Sequence, residues 1–294
     1  MNSSSTSTAK VDAKIDAKES VNSLLKTIRI PPRPSLLVAV QKELNQDEPD
    51  AKELAKIIAQ DVAMSAALMK LTNSPFFGLR YKARSVEHAV ELLGMQYCGL
   101  LLMGIIAKQS VAIKGMSLHK FWELSSQRAQ AMSVLTRGLK LGSLDTAYTF
   151  GLFCDIGAPI LMERFPDYVQ TWEKACKQSE VSPTVIEDAH HQTNHASIGA
   201  LMARTWGLPE TVTTAILLQH DYAVLNDAST SVDIRNLIAL SLVAEHAIAK
   251  IKDDVGATQW ALGKEAVCQY LAWSEHDVED WCEQIQAALN EAEN

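Results

Sequence analysis

Residues 151–161 read GLFCDIGAPIL and set a thiol and a carboxylate, Cys154 and Asp155, side by side in an otherwise apolar run. Cys154 with His195 or His220 as base would be the minimal pair for covalent catalysis. An apolar helix raises a thiol pKa instead of lowering it, so Cys154 reads more simply as a small core residue. Asp155 is harder to dismiss, because burying a carboxylate without partners costs several kcal/mol, of order 2–7 even for a neutral polar group. It is expected to hydrogen-bond to nearby backbone N–H groups, to pair with His195 or His220, or to hold a metal. His195 can also be read as a cap of the helix that begins at Ala196, with Asn194 sharing that task, and His190 and His191 read as surface residues.

The elements that must position these groups are all helical in spacing, and no sustained period-2 run flanked by hairpin turns occurs. The fold class is therefore expected to be all-α. An amphipathic segment over Val11–Ile28 stops at Pro31 and Pro32, and Leu36–Leu44, Ala51–Ala59, Met64–Leu71 and Ser85–Leu93 follow as short helices. Asp50 and Asp61 are placed to start two of them. A polar turn at Asn73–Gly78 carries Phe76 and Phe77, read either as an exposed aromatic interaction surface or as a plug in the core.

A more apolar helix over 95–109 precedes a composition shift at Val111–Leu118. Beyond it longer helices are expected, among them Phe121–Leu141 and Leu144–Glu163, with a long loop over Asp221–Asp233 and an acidic amphipathic cap near the C-terminus. The organisation expected is a disordered stretch over 1–10, an N-terminal helical unit over 11–110, a connector over 111–117, a second helical unit over 118–253 and terminal helices over 254–294.

With 47% hydrophobic and 21% charged residues, the chain can bury enough surface to fold as a globular protein. Its net charge of −8 disfavours broad binding to a phosphate backbone, so no nucleic-acid partner is expected. The apolar stretches fall short of a membrane span, and five scattered cysteines without a CxxC pair suit a reducing, cytoplasmic setting.

The stretches IPPRPSLLVAV, PDAKELAKIIAQDVAMSAALMKLTNSPFFG and SVEHAVELLGMQ in the first half, and FWELSSQRAQA, AYTFGLFCDIGAPIL, HASIGALMARTWGLPETVTTAI and SLVAEHAIAK in the second, resemble the HDOD family in number and order. That family is a signalling-associated branch of the HD metal-phosphohydrolase superfamily. The resemblance implies a multi-helical HD-like bundle with an additional N-terminal helical subdomain. It also implies where a metal would be held: by a first histidine, an adjacent His-Asp pair and a later aspartate, with two more histidines in binuclear members.

Carried onto this chain, the first histidine falls at Leu124, which cannot coordinate, and the pair becomes Cys154 and Asp155. His195 keeps its position, His220 can serve as a fourth with Gln219 replacing a neighbour, and the last aspartate becomes Glu245. The segment DYAVLND lacks the glycine and proline of the cyclic-dinucleotide phosphodiesterase branch. Leu124, Cys154, Asp155, His195, His220 and Glu245 are thus expected to line a vestigial pocket without catalytic residues or cofactor, and Asp155, His195 and His220 are the set that any metal would use. With that ligand set incomplete and no receiver, cyclase or kinase segment in the sequence, the chain is expected to be a stand-alone, bacterial-type regulator, a non-catalytic signalling module that binds a protein partner or a small ligand. The alternative is a residual metal-dependent phosphohydrolase or phosphodiesterase acting on a nucleotide or cyclic nucleotide.

Overall fold

Short side chains at the expected positions start the N-terminal helices. In the computed structural model, which describes residues 27–74, 77–113, 115–252 and 258–293, α1 (Ser35–Leu44) begins behind Pro34. Asp50 accepts from the Lys52 N–H to open α2 (Ala51–Ala59), and Asp61 accepts from the Met64 N–H to open α3 (Val62–Thr72). Ser85 caps α4 (Val86–Leu93) in the same way. Gly94, at φ 86°, then turns the chain into α5 (Met95–Ser110), which is buried along much of its length. Val11–Ile28 and the 1–10 stretch lie almost wholly outside the described residues, as does Phe76. Phe77 is core, not surface, with its ring edge-on to Tyr97 at 5.6 Å between centroids.

The second part opens with α6 (His119–Leu139), α7 (Leu144–Phe153) and α8 (Gly157–Arg164). The single helix expected over Leu144–Glu163 is broken at Cys154–Ile156. Pro159 has no N–H to donate back to the Asp155 carbonyl, which accepts instead from the Ala158 N–H at 2.9 Å, and the Ile156 N–H likewise reaches only to Phe153. There follow α9 (Tyr168–Cys176), α10 (Pro183–His191), α11 (His195–Thr205) and α12 (Glu210–Leu218). The expected loop after His220 contains a 3-10 helix, Tyr222–Asn226, before α13 (Val232–Ile251), α14 (Thr258–Leu271) and α15 (Glu275–Glu293). Helix α15 lays Val278, Cys282, Ile285 and Leu289 on the bundle at helical spacing and turns acidic residues outward, the cap expected from the sequence.

Helices α6 and α7 lie side by side, α13 packs across α6, and α11 packs on α8 and α12. No β-strand occurs among the described residues, and a lone bridge joins Ile113 to Met116. The buried apolar side chains form one continuous core from Ile28 to Leu289. The Trp206 indole N–H donates to the Pro31 carbonyl at 2.9 Å and the Gln41 amide donates to the Trp206 carbonyl at 3.0 Å, tying the first helices to the second group. No single helix among the described residues is long and apolar enough to cross a membrane. Helices α4 and α5 pass that test only as a pair bent by 117°.

Candidate functional site

The broken turn exists where three helices converge, and two glycines permit the convergence. A Cβ on Gly151 would lie 2.8 Å from the Ala129 Cα, so α7 can reach α6 this closely only without a side chain there. A Cβ on Gly157 would lie 2.0 Å from the His195 carbonyl oxygen and 2.6 Å from the Gly199 nitrogen, which seats the start of α8 on the first turn of α11. Asp155, between the two glycines, is thereby placed against α6 on one side and α11 on the other. Gln219, at the end of α12, donates its amide to the Cys154 carbonyl at 2.8 Å and satisfies a group the helix break leaves open.

The partner that Asp155 finds is neither of the expected histidines first. Arg128, buried on α6, places Nη1 2.8 Å from Asp155 Oδ2 and Nε 3.3 Å from Glu245 Oε1, and Nη1 also donates to Cys154 Sγ at 2.7 Å. One guanidinium therefore bridges two carboxylates and a thiol. Burial opposes the ionisation of Asp155, but Arg128 and then His195 outweigh it and hold its pKa below the usual carboxylate value. For Glu245 burial prevails, with Arg128 offsetting it and Asp155 adding to it, and its pKa is raised. Burial likewise pushes the Cys154 thiol well up, with Arg128 only partly opposing, so covalent chemistry by this sulfur is disfavoured.

On the far side, His195 is fully buried at the start of α11. Asn194, not His195, caps that helix by accepting from the Ser197 N–H. His195 Nδ1–H donates to Glu187 Oε1 at 2.7 Å, while its backbone N–H and the Tyr168 hydroxyl both donate to Glu187 Oε2. Burial works against a charge on His195, but Glu187 and then Asp155 raise its pKa above the ordinary histidine value. His195 Nε2 lies 2.8 Å from His220 Nε2 and 3.7 Å from Asp155 Oδ1. Burial and the neighbouring His195 drive the His220 pKa down to about 3, which keeps the His220 ring neutral beside His195 Nε2. His191 is buried, not exposed as expected, and its Nε2 lies 2.9 Å from Thr171 Oγ1.

Above these groups opens a cavity of about 660 Å³, a size ordinary for a small-molecule site. Arg128, Asp155, His195, His220, Glu245 and Gln259 line it with polar groups, Leu124, Trp172, Cys176, Ile248 and Ala249 line it with mostly apolar ones, and Lys120, Lys177 and Lys252 also border it. It lies within the second group of helices. All expected pocket residues except Cys154 line it, and Cys154 sits beneath, with 0% exposure.

A metal does not fit the site as arranged. Donor atoms of Asp155, His195 and His220 do lie within 4.8 Å of one another. Yet the two imidazole nitrogens are 2.8 Å apart in a hydrogen bond, whereas two nitrogens on one tetrahedral zinc stand ~3.3 Å apart. Asp155 Oδ2 and Glu245 are engaged by Arg128, whose fixed positive charge would repel a cation at the same carboxylates. Leu124 brings no donor.

The HDOD domain family profile matches residues 30–222, well over half of the chain. The chain belongs to the HDOD family. Among solved structures, an HDOD domain protein of unknown function from Geobacter sulfurreducens superposes with a TM-score of 0.69 at 17% identity, over 96% of each chain. A candidate signal transduction protein from Marinobacter aquaeolei gives 0.67 at 19% identity, over 94% of this HDOD chain and 64% of the other. A candidate phosphohydrolase from Shewanella amazonensis gives 0.63 at 20% identity, over 89% and 97%. These likenesses establish the fold. An uncharacterized protein of Treponema pallidum is 25% identical over 197 residues, 65% of this chain, and the HDOD chain spans only 38% of that relative's length.

Arg128 and Glu187 escaped the sequence reading, although each carries a legible signal. Arg128 falls on the buried stripe of α6 with Ser125, Ala129, Met132 and Leu135, and Glu187 on that of α10 with Pro183, Ile186 and His191. A charged residue on an apolar stripe announces a buried partner.

Proposed function

We propose that this HDOD chain is a non-catalytic signalling module that acts in the cytoplasm and responds to a small ligand seated in the cavity over Asp155. The observation that carries this reading is the Arg128 guanidinium, which engages the two carboxylates, Asp155 and Glu245, that hydrolysis would need for a metal. A hydrolytic centre requires a cation that lowers the pKa of a bound water and takes up phosphate oxygens. Arg128 can neutralise carboxylates but cannot activate water in that way. The cavity remains large enough for a ligand, with polar groups on its floor and an indole, Trp172, among its walls.

The test is a phosphodiesterase and nucleotidase assay on freshly purified protein with manganese, iron and zinc added in turn, together with elemental analysis. No turnover and less than stoichiometric metal are expected. Turnover that depends on added metal and disappears in Asp155→Ala would establish the alternative, a residual phosphohydrolase.

A further inference from the structure

We infer that Arg128 is the resident cation of this site, and that the remaining residues form a metal-binding set which this one side chain keeps closed. Glu187 holds His195 by Nδ1, so that its Nε2 faces His220 and Asp155. That is how a second-shell carboxylate orients a metal-binding histidine. Glu187 is fully buried and accepts from three donors, so it holds His195 firmly in this orientation. Asp155, His195 and His220 already bring their donor atoms within 4.8 Å, and Glu245 is joined to Asp155 through the guanidinium. Taking away Arg128 releases Asp155 Oδ2 and Glu245 beside the cluster of Asp155, His195 and His220. With the 2.8 Å hydrogen bond between His195 and His220 also opened, this mixed set suits zinc or another borderline divalent ion.

The assignment is tested on the full chain by equilibrium dialysis against zinc with elemental analysis, and by thermal denaturation with and without zinc. Wild type is expected to take up no zinc that depends on Asp155. Arg128→Ala is expected to bind one equivalent at least about a hundredfold more tightly than wild type, since a buried positive charge beside the ion is gone, and its melting temperature should rise with zinc. Arg128→Ala combined with Asp155→Asn should lose that zinc. If Arg128→Ala unfolds without metal, zinc is expected to restore its helical circular dichroism.

A folded Arg128→Ala that binds no zinc, or an unfolded one that zinc does not rescue, overturns the assignment of Arg128 while leaving the non-catalytic reading intact. Retention of the zinc in the double variant overturns it too, because the ion would then sit elsewhere. Wild-type zinc that is lost in Asp155→Asn overturns both.

Discussion

Arg128 Nη1 and Asp155 Oδ2 stand 2.8 Å apart with side chains only 6% and 11% exposed, one on α6 and the other in the break between α7 and α8. Glu245 on α13 joins the same guanidinium at 3.3 Å. Three elements that have no hydrogen-bonded ladder between them are thus linked by one cation. The pairing fixes the site both mechanically and electrostatically, because among the described residues neither carboxylate has another cationic side chain so near.

Replacing Arg128 by Met keeps most of the volume and strands the carboxylates. Breaking one partner of a buried pair costs about 3–5 kcal/mol, so Arg128→Met should lower the unfolding free energy obtained from urea titrations by that amount. Adding Asp155→Asn should recover part of the loss, and the double-mutant cycle measures the coupling. Additive effects of the two substitutions would show that the residues do not interact.

Gly157→Ala should destabilise more than its single methyl suggests. The obstacles are the His195 carbonyl and the Gly199 nitrogen, both backbone, so α8 must move away from α11. Overpacking usually costs about 1–3 kcal/mol, and the upper end or beyond is expected here. Chemical denaturation of the variant against wild type decides it.

The two central histidines make opposite contributions to the pH dependence. His220 has its folded pKa depressed to about 3, so below the unfolded value of ~6.5 the unfolded chain takes up a proton that the folded chain refuses, and stability falls with falling pH. His195 has its folded pKa raised. Its contribution is fully present below ~6.5 and is lost as pH rises through the folded value. Asp155, depressed, adds stability that disappears only as pH falls below ~3.9. Urea midpoints should therefore decline as pH falls below ~6.5, where the depressed histidines dominate, and Glu245, whose folded pKa is raised, works in the opposite direction at the lower end of that range. His220→Gln should shrink that decline without abolishing it, because burial also lowers His191 and His246. An unchanged slope in His220→Gln would contradict the assignment of the neutral ring.

Phe77→Ala should behave as a core truncation. The side chain is 8% exposed against Tyr97, so a loss of about 3–5 kcal/mol is expected in denaturant titrations. A loss near zero would return Phe77 to the surface.

The helical class and the caps at Asp50 and Asp61 were legible because they depend on local chemistry. The helix break at Cys154–Ile156 was hidden by apolar residues on both sides, although Pro159 marks it. Asp155, His195, His220 and Glu245 were found through resemblance, but their electrostatics were not, because what decides them lies on other helices. Arg128 is 27 residues before Asp155 in sequence, and Glu187 is eight before His195. Sequence spacing alone could not bring either pair within hydrogen-bond reach.

The most direct measurement is an anomalous difference map from crystals of the wild-type protein grown with zinc. The guanidinium of Arg128 should be seen bridging Asp155 and Glu245, with no anomalous peak among Asp155, His195 and His220. A peak within coordination distance of those three side chains, with Arg128 turned away from Asp155, would contradict the account.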